Sequence, residues 1–125
     1  MKTLLISLFA CSILNYCNNC LSNSAWTCTI ANTCVDSLKF TGKNHVTNYS
    51  CELGYTFQGS YSISKNLVTI IEKDDSHGGK AEYSKMKFML KGNALYPISN
   101  EELVNGKWAK SRVPIDKKYI FKKIK

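Results

Sequence analysis

The sequence predicts an all-β fold, a small antiparallel meander barrel or half-barrel formed by residues 25–125. Three observations carry this. Residues 55–64 (YTFQGSYSIS) alternate without a break, with Tyr55, Phe57, Gly59, Tyr61 and Ile63 on one side and Thr56, Gln58, Ser60, Ser62 and Ser64 on the other. Such period-two alternation marks a strand with one face buried, because successive strand side chains point to opposite faces. Other β-prone runs recur with turn signals roughly every 8–12 residues, as in antiparallel barrels and sandwiches. The turns between them are very short, which favours an up-and-down meander over long crossovers.

The elements follow in order. Residues 36–41 place Leu38 and Phe40 on one face, and Gly42-Lys43-Asn44 turns the chain. Residues 45–51 form a β-prone run with mixed faces, and Glu52-Leu53-Gly54 turns again. Then comes the alternating run 55–64, in which Gly59 suggests a bulge or sharp bend. Lys65-Asn66 makes a tight turn into residues 67–73, giving a hairpin. Residues 74–79 (DDSHGG) read as a polar loop. Residues 83–91 alternate again, with Met86, Phe88 and Leu90 inward and Lys85, Lys87 and Lys91 outward. Gly92-Asn93 turns into residues 94–98, where Pro97 marks an edge or strand end. Ser99-Asn100-Glu101-Glu102 has the form of a capping box, predicting one short helix near residues 100–105 that Gly106 ends. A last strand is predicted over 119–124.

Residues 1–24 are set apart as signal and tether. Met1-Lys2 is a positive start, residues 3–14 are apolar apart from Ser, Thr and Cys, and the first acid is Asp36. A charged start and a short apolar run read as an export signal, too short for the roughly 20 residues that span a bilayer. The stretch 15–32 is rich in Asn and Ser and reads mostly as tether. The net charge of +8 is uneven along the chain. Residues 1–106 hold nine Lys against eight acids, whereas residues 107–125 hold seven Lys and Arg112 against Asp116 alone.

Leu8-Phe9-Ala10-Cys11 resembles the lipobox of bacterial lipoproteins, with Leu three before the Cys and a small residue before it. That resemblance implies lipidation at Cys11, anchoring in the cell envelope and a membrane partner through the lipid. Cys17 is the alternative acceptor, with a longer apolar run before it but Tyr16 where a small residue is usual. Ordinary cleavage after Ser24 is the third option, giving a secreted or periplasmic protein. Cys28, Cys34 and Cys51 are the candidates for a disulfide, and their spacing leaves the pairing open. Cys17-x-x-Cys20 has no matching second pair, so no metal site is expected.

The layout of Trp26, Cys34, Leu38-Lys-Phe40, Tyr49-Ser-Cys51, Gly59-Ser-Tyr61-Ser-Ile63 and Leu67-Val-Thr-Ile70 resembles the lipocalin-like small lipoproteins of Bacteroidetes-type bacteria. The resemblance covers roughly residues 26–96 and implies a lipocalin-like barrel. That family has no single activity, so none is carried over.

No nucleophile elbow, phosphate loop or metalloprotease helix motif occurs, and no catalytic residue or cofactor is predicted. Asp74, Asp75 and His77 read as a solvated loop. A binding or structural role is expected, with a protein partner or a small apolar ligand as the target. A soluble inhibitor or protein-interaction module of the same fold is the alternative. The inward side chains are large, so the interior is expected to be mostly filled. Lys117, Lys118, Lys122, Lys123 and Lys125 form a candidate contact for an anionic surface rather than for nucleic acid, which an exported protein rarely meets.

Overall fold

The structure, a computed structural model, describes residues 20–125. Among the described residues there are nine strands: β1 (Ser24–Ala31), β2 (Cys34–Thr41), β3 (His45–Ser50), β4 (Tyr55–Ser64), β5 (Leu67–Asp74), β6 (Glu82–Lys91), β7 (Ala94–Val104), β8 (Lys107–Lys110) and β9 (Phe121–Lys123). All pairings are antiparallel. Strands β1 to β7 follow one another around the sheet, and β9 slots between β7 and β1 to close an eight-stranded barrel. Strand β8 is extra, paired only to the far end of β7. This is the predicted antiparallel meander barrel.

The tight turns Lys65-Asn66 and Gly92-Asn93 are two-residue hairpins, with Ser64 opposite Leu67 and Lys91 opposite Ala94. Their first residues, Lys65 and Gly92, have φ of 57° in each case, the conformation that two-residue hairpins demand. Gly59 lies in β4 between Val46 of β3 and Glu72 of β5. A Cβ there would come within 2.7 Å of the Ile71 carbonyl oxygen, so glycine is required by close strand approach, with no bulge at that point.

Three expectations are corrected. The predicted helix near 100–105 is strand: Ser99, Asn100, Glu101 and Glu102 pair with Lys87, Met86, Lys85 and Ser84, and among the described residues there is no helix. A capping box stabilises a helix start by about 1 kcal/mol, less than two flanking ladders provide. Asn105 and Gly106 have φ of 52° and 77° and join Val104 to Lys107, a two-residue turn with both residues left-handed. Asn-Gly is the preferred sequence for that turn, so Gly106 ends no helix. Strand β7 also runs through Pro97 rather than ending there, although Pro97 does sit on an edge, in a stretch of β7 paired only to β6, with a register shift between Lys87 and Phe88. Finally, residues 24–31 of the expected tether are β1, with Ser24, Trp26 and Cys28 buried.

The core fills one end of the barrel. Leu21, Trp26, Leu38, Phe40, Val46, Val68, Ile70 and Leu95 are at most 1% exposed. Phe40 meets Tyr61 edge-to-face at 4.9 Å, and Phe88 meets Phe121 likewise at 5.9 Å. The Trp26 indole donates to Ser24 Oγ at 2.8 Å, and that hydroxyl donates to the Leu21 carbonyl. Of the inward set predicted on β4, Tyr61 is buried, while Phe57 and Ile63 are half-buried.

Candidate functional site

Each hydrophobic strand face becomes polar as it approaches the other end. On β2 the inward series Phe40, Leu38 continues to Asp36; on β3 Val46 is followed by Asn48; on β5 Val68 and Ile70 are followed by Glu72. Strand β6 runs from Ser84 down to Phe88 and Leu90, and its partner β7 places Asn100 opposite Met86 and Glu102 opposite Ser84. The barrel thus has a closed apolar end and an open polar end, and the expectation of a mostly filled interior holds only for the closed end.

Several clefts open there, and two of them are lined by Glu72 and by Asn48. One, of about 450 Å³, is lined by Phe57, Glu72, Asp74, Ser84, Glu102 and Arg112 among others. Arg112 Nε lies 3.4 Å from Glu102 Oε2, and Ser111 Oγ donates to Glu102 Oε1 at 3.2 Å. The second, of about 290 Å³, lies between the barrel wall and the returning segment 113–119. Its walls include Met86, Phe88, Pro97, Tyr119 and Phe121, and Asp36, Asn48 and Asn100 are its interior polar groups. Asn100 Oδ1 is fully buried, and no donor among the described residues reaches it.

Asn48 links the two clefts by donating to Glu72 Oε2 at 2.6 Å. Glu72 is 8% exposed. Burial pushes its carboxyl up to about 7, against the hydrogen bond from Asn48, with the Asp74 charge adding to the rise. Of the interior polar groups the sequence named Asn100 and Glu102 only as part of a helix start, and assigned none to a site. The alternation on β3 and β5 places Asn48 and Glu72 on the apolar face, which was the available signal.

Among the described residues the cysteines comprise the Cys34–Cys51 pair, the free thiol of Cys28, and Cys20, which is disulfide-bonded. Cys34 and Cys51 form a disulfide, with Cα atoms 5.4 Å apart. Asp36 Oδ1 accepts the Cys51 N–H at 2.8 Å. Asp36 and the two sulfurs lie within 4.8 Å of one another. With the sulfurs bonded to each other there is no thiolate to bind a metal. Cys28 is a free, buried thiol opposite Asp36 on the neighbouring strand. Burial first, and then the Asp36 charge, push that thiol up, making it less reactive. The lipidation candidates Cys11 and Cys17 lie outside the described residues.

The loop 74–79 behaves as a solvated turn, with the Ser76 N–H and hydroxyl both donating to Asp74 Oδ1 and the Tyr55 hydroxyl donating to Asp75. The five lysines proposed for an anionic surface do not form one patch. Lys117 and Lys118 sit in the segment that caps the open end, whereas Lys122, Lys123 and Lys125 lie at the closed end beside Ala25, Trp26 and Asn93. All five are exposed. Comparison with family models, with curated proteins and with solved structures finds no match to this chain.

Proposed function

We propose that this chain is an exported, membrane-tethered binding protein of the cell envelope, acting by binding rather than catalysis. Its target is a small, mainly apolar ligand that carries a hydrogen-bond donor. The observation behind this is Asn100 Oδ1, a buried acceptor without a protein donor in the wall of an apolar cleft. A buried acceptor left without a donor costs about 1–3 kcal/mol, which a donating ligand recovers. Small-ligand sites of this kind are mostly apolar with a few placed polar groups.

Two features support export and tethering. The Cys34–Cys51 disulfide is of a kind that persists in oxidising compartments. Cleavage after Ser24 would remove Leu21, which is fully buried in the core, so processing at Cys11 or Cys17 suits the barrel better. The mass of the mature N-terminus tests this: a diacylated cysteine supports the tether, and an unmodified start near Ala25 overturns it.

Titration with 1-naphthol, a neutral fluorescent probe with one hydroxyl donor, tests the cleft. Saturable binding is expected, abolished by Met86→Trp, which fills the cleft, and unaffected by Lys80→Gln in the open loop. Failure to saturate, or equal binding to the Met86→Trp variant in its folded state, rejects the site.

A further inference from the structure

The charge that is uneven along the sequence is more sharply divided in space. Residues at the closed end of the barrel, 20–26, 38–46, 61–70, 88–95 and 121–125, contain no Asp or Glu. All nine acids of the chain stand on the open half, where nine Lys and Arg side chains balance them. Apart from Lys2, the whole net positive charge therefore belongs to the closed end. Two of the hairpin turns there carry a lysine, Lys43 and Lys65, Lys91 ends the strand before the third, and the C-terminal end adds Lys122, Lys123 and Lys125. Lys39 stands on the outer wall just above them, opposite Ala25. Each of these lysines is exposed, and none makes an ion pair among the described residues.

Two further features share that end. The N-terminal segment joins the barrel there: the Gly42 N–H in the first of these turns donates to Asn23 Oδ1 at 3.3 Å, and the Ala25 N–H donates to the Lys125 carbonyl at 3.0 Å. Ile124 is 64% exposed between Lys123 and Lys125. An apolar side chain flanked by long cationic ones suits a bilayer interface, where the ammonium groups reach headgroups and the apolar residue dips between them.

We infer that the closed end is a docking face for an anionic phospholipid bilayer, holding the barrel upright with its open clefts away from the membrane. The inference rests on the placement of charge and not on a ligand in the clefts or a lipid on the chain. A bilayer is favoured over an acidic protein because the face is built of turns, uniform in sign and placed where the N-terminal segment enters. Lysines within reach of an anionic surface strengthen binding on the order of fivefold each, and the attraction decays over about 8 Å at physiological salt.

The test uses the full chain and vesicles of phosphatidylcholine, alone or mixed with phosphatidylglycerol. Tighter binding to the mixed vesicles at low salt is expected, with the difference lost at high salt. The triple variant Lys43→Gln, Lys65→Gln, Lys91→Gln should lose about a hundredfold of that preference. The triple variant Lys80→Gln, Lys107→Gln, Lys110→Gln, which removes the same charge from the open half, should keep nearly all of it. Thermal melting of both variants confirms that each is folded. Equal losses in the two triple variants, no preference for anionic vesicles in the wild type, or binding to a soluble polyanion as tight as to the mixed vesicles would each overturn the inference.

Discussion

The side-chain amide of Asn48 donates to Glu72 Oε2 at 2.6 Å, joining β3 to β5 across the intervening strand β4. The residue of β4 beside Glu72 is Gly59, which puts no side chain between them. One glycine thus serves two ends. It lets β4 and β5 approach closely, and it leaves interior room for a hydrogen bond that spans three strands. The bond sits where the apolar filling of the barrel gives way to polar groups.

Gly59→Ala should therefore be more damaging than its small size suggests. The added Cβ would lie 2.7 Å from a backbone oxygen, which cannot rotate away. Overpacking of this kind costs about 1–3 kcal/mol. Urea unfolding gives the measure, and an unchanged midpoint would show that the strands separate without difficulty.

The neighbouring positions separate the two faces of β4. Tyr61 is buried, packs edge-to-face on Phe40 and donates its hydroxyl to the Gly42 carbonyl. Ser60 is exposed. Tyr61→Ala should destabilise by about 3–5 kcal/mol, and Ser60→Ala by under about 0.5 kcal/mol. Equal effects in chemical denaturation would refute the assignment of faces.

The barrel was legible because its central strands alternate strictly and its turns are short. The strand over Ser24–Ala31 was obscured by its Asn- and Ser-rich surroundings, although Trp26, Cys28 and Ile30 alternate with Thr27 and Thr29. The end of β7 was misread because Ser99 and Glu102 suit a helix start, whereas the Asn105-Gly106 turn and pairing on both sides outweigh that local preference. The polar interior was harder to see. Asn48 and Glu72 lie 24 residues apart, and only the barrel register brings them together.

The disulfide ties the start of β2 to the turn after β3, across a sequence separation of 17. Closing a loop of that length stabilises by about 3 kcal/mol in the chain-entropy account. Cys51→Ser should lower stability by about that amount, while Cys28→Ala should leave the Cys34–Cys51 link intact in non-reducing peptide mapping. A Cys28–Cys51 peptide in the wild type, or an unlinked Cys51 in the Cys28→Ala variant, would show that Cys28, not Cys34, is the partner.

Glu72 gives the barrel an unusual pH dependence. An ordinary surface carboxylate is held at or below its normal range in the folded state and stabilises as pH rises. Here burial raises the folded-state value from 4.5 to about 7, so the folded form holds its proton longer than the unfolded chain. Below the lower value both states are protonated and the group has no net effect. Between the two values the unfolded chain ionises first, so stability falls as pH rises; above about 7 the loss is complete. Its full size is at most about 3 kcal/mol, from 1.36 kcal/mol per pH unit. Glu72→Gln keeps an acceptor for the Asn48 amide and has no proton to release. The difference in unfolding free energy between variant and wild type should grow in the variant's favour through this window and then level off. A difference that stays flat from acid to neutral pH would mean that Glu72 is ionised in the folded barrel at the same pH as in the unfolded chain, with water reaching it freely from the open end.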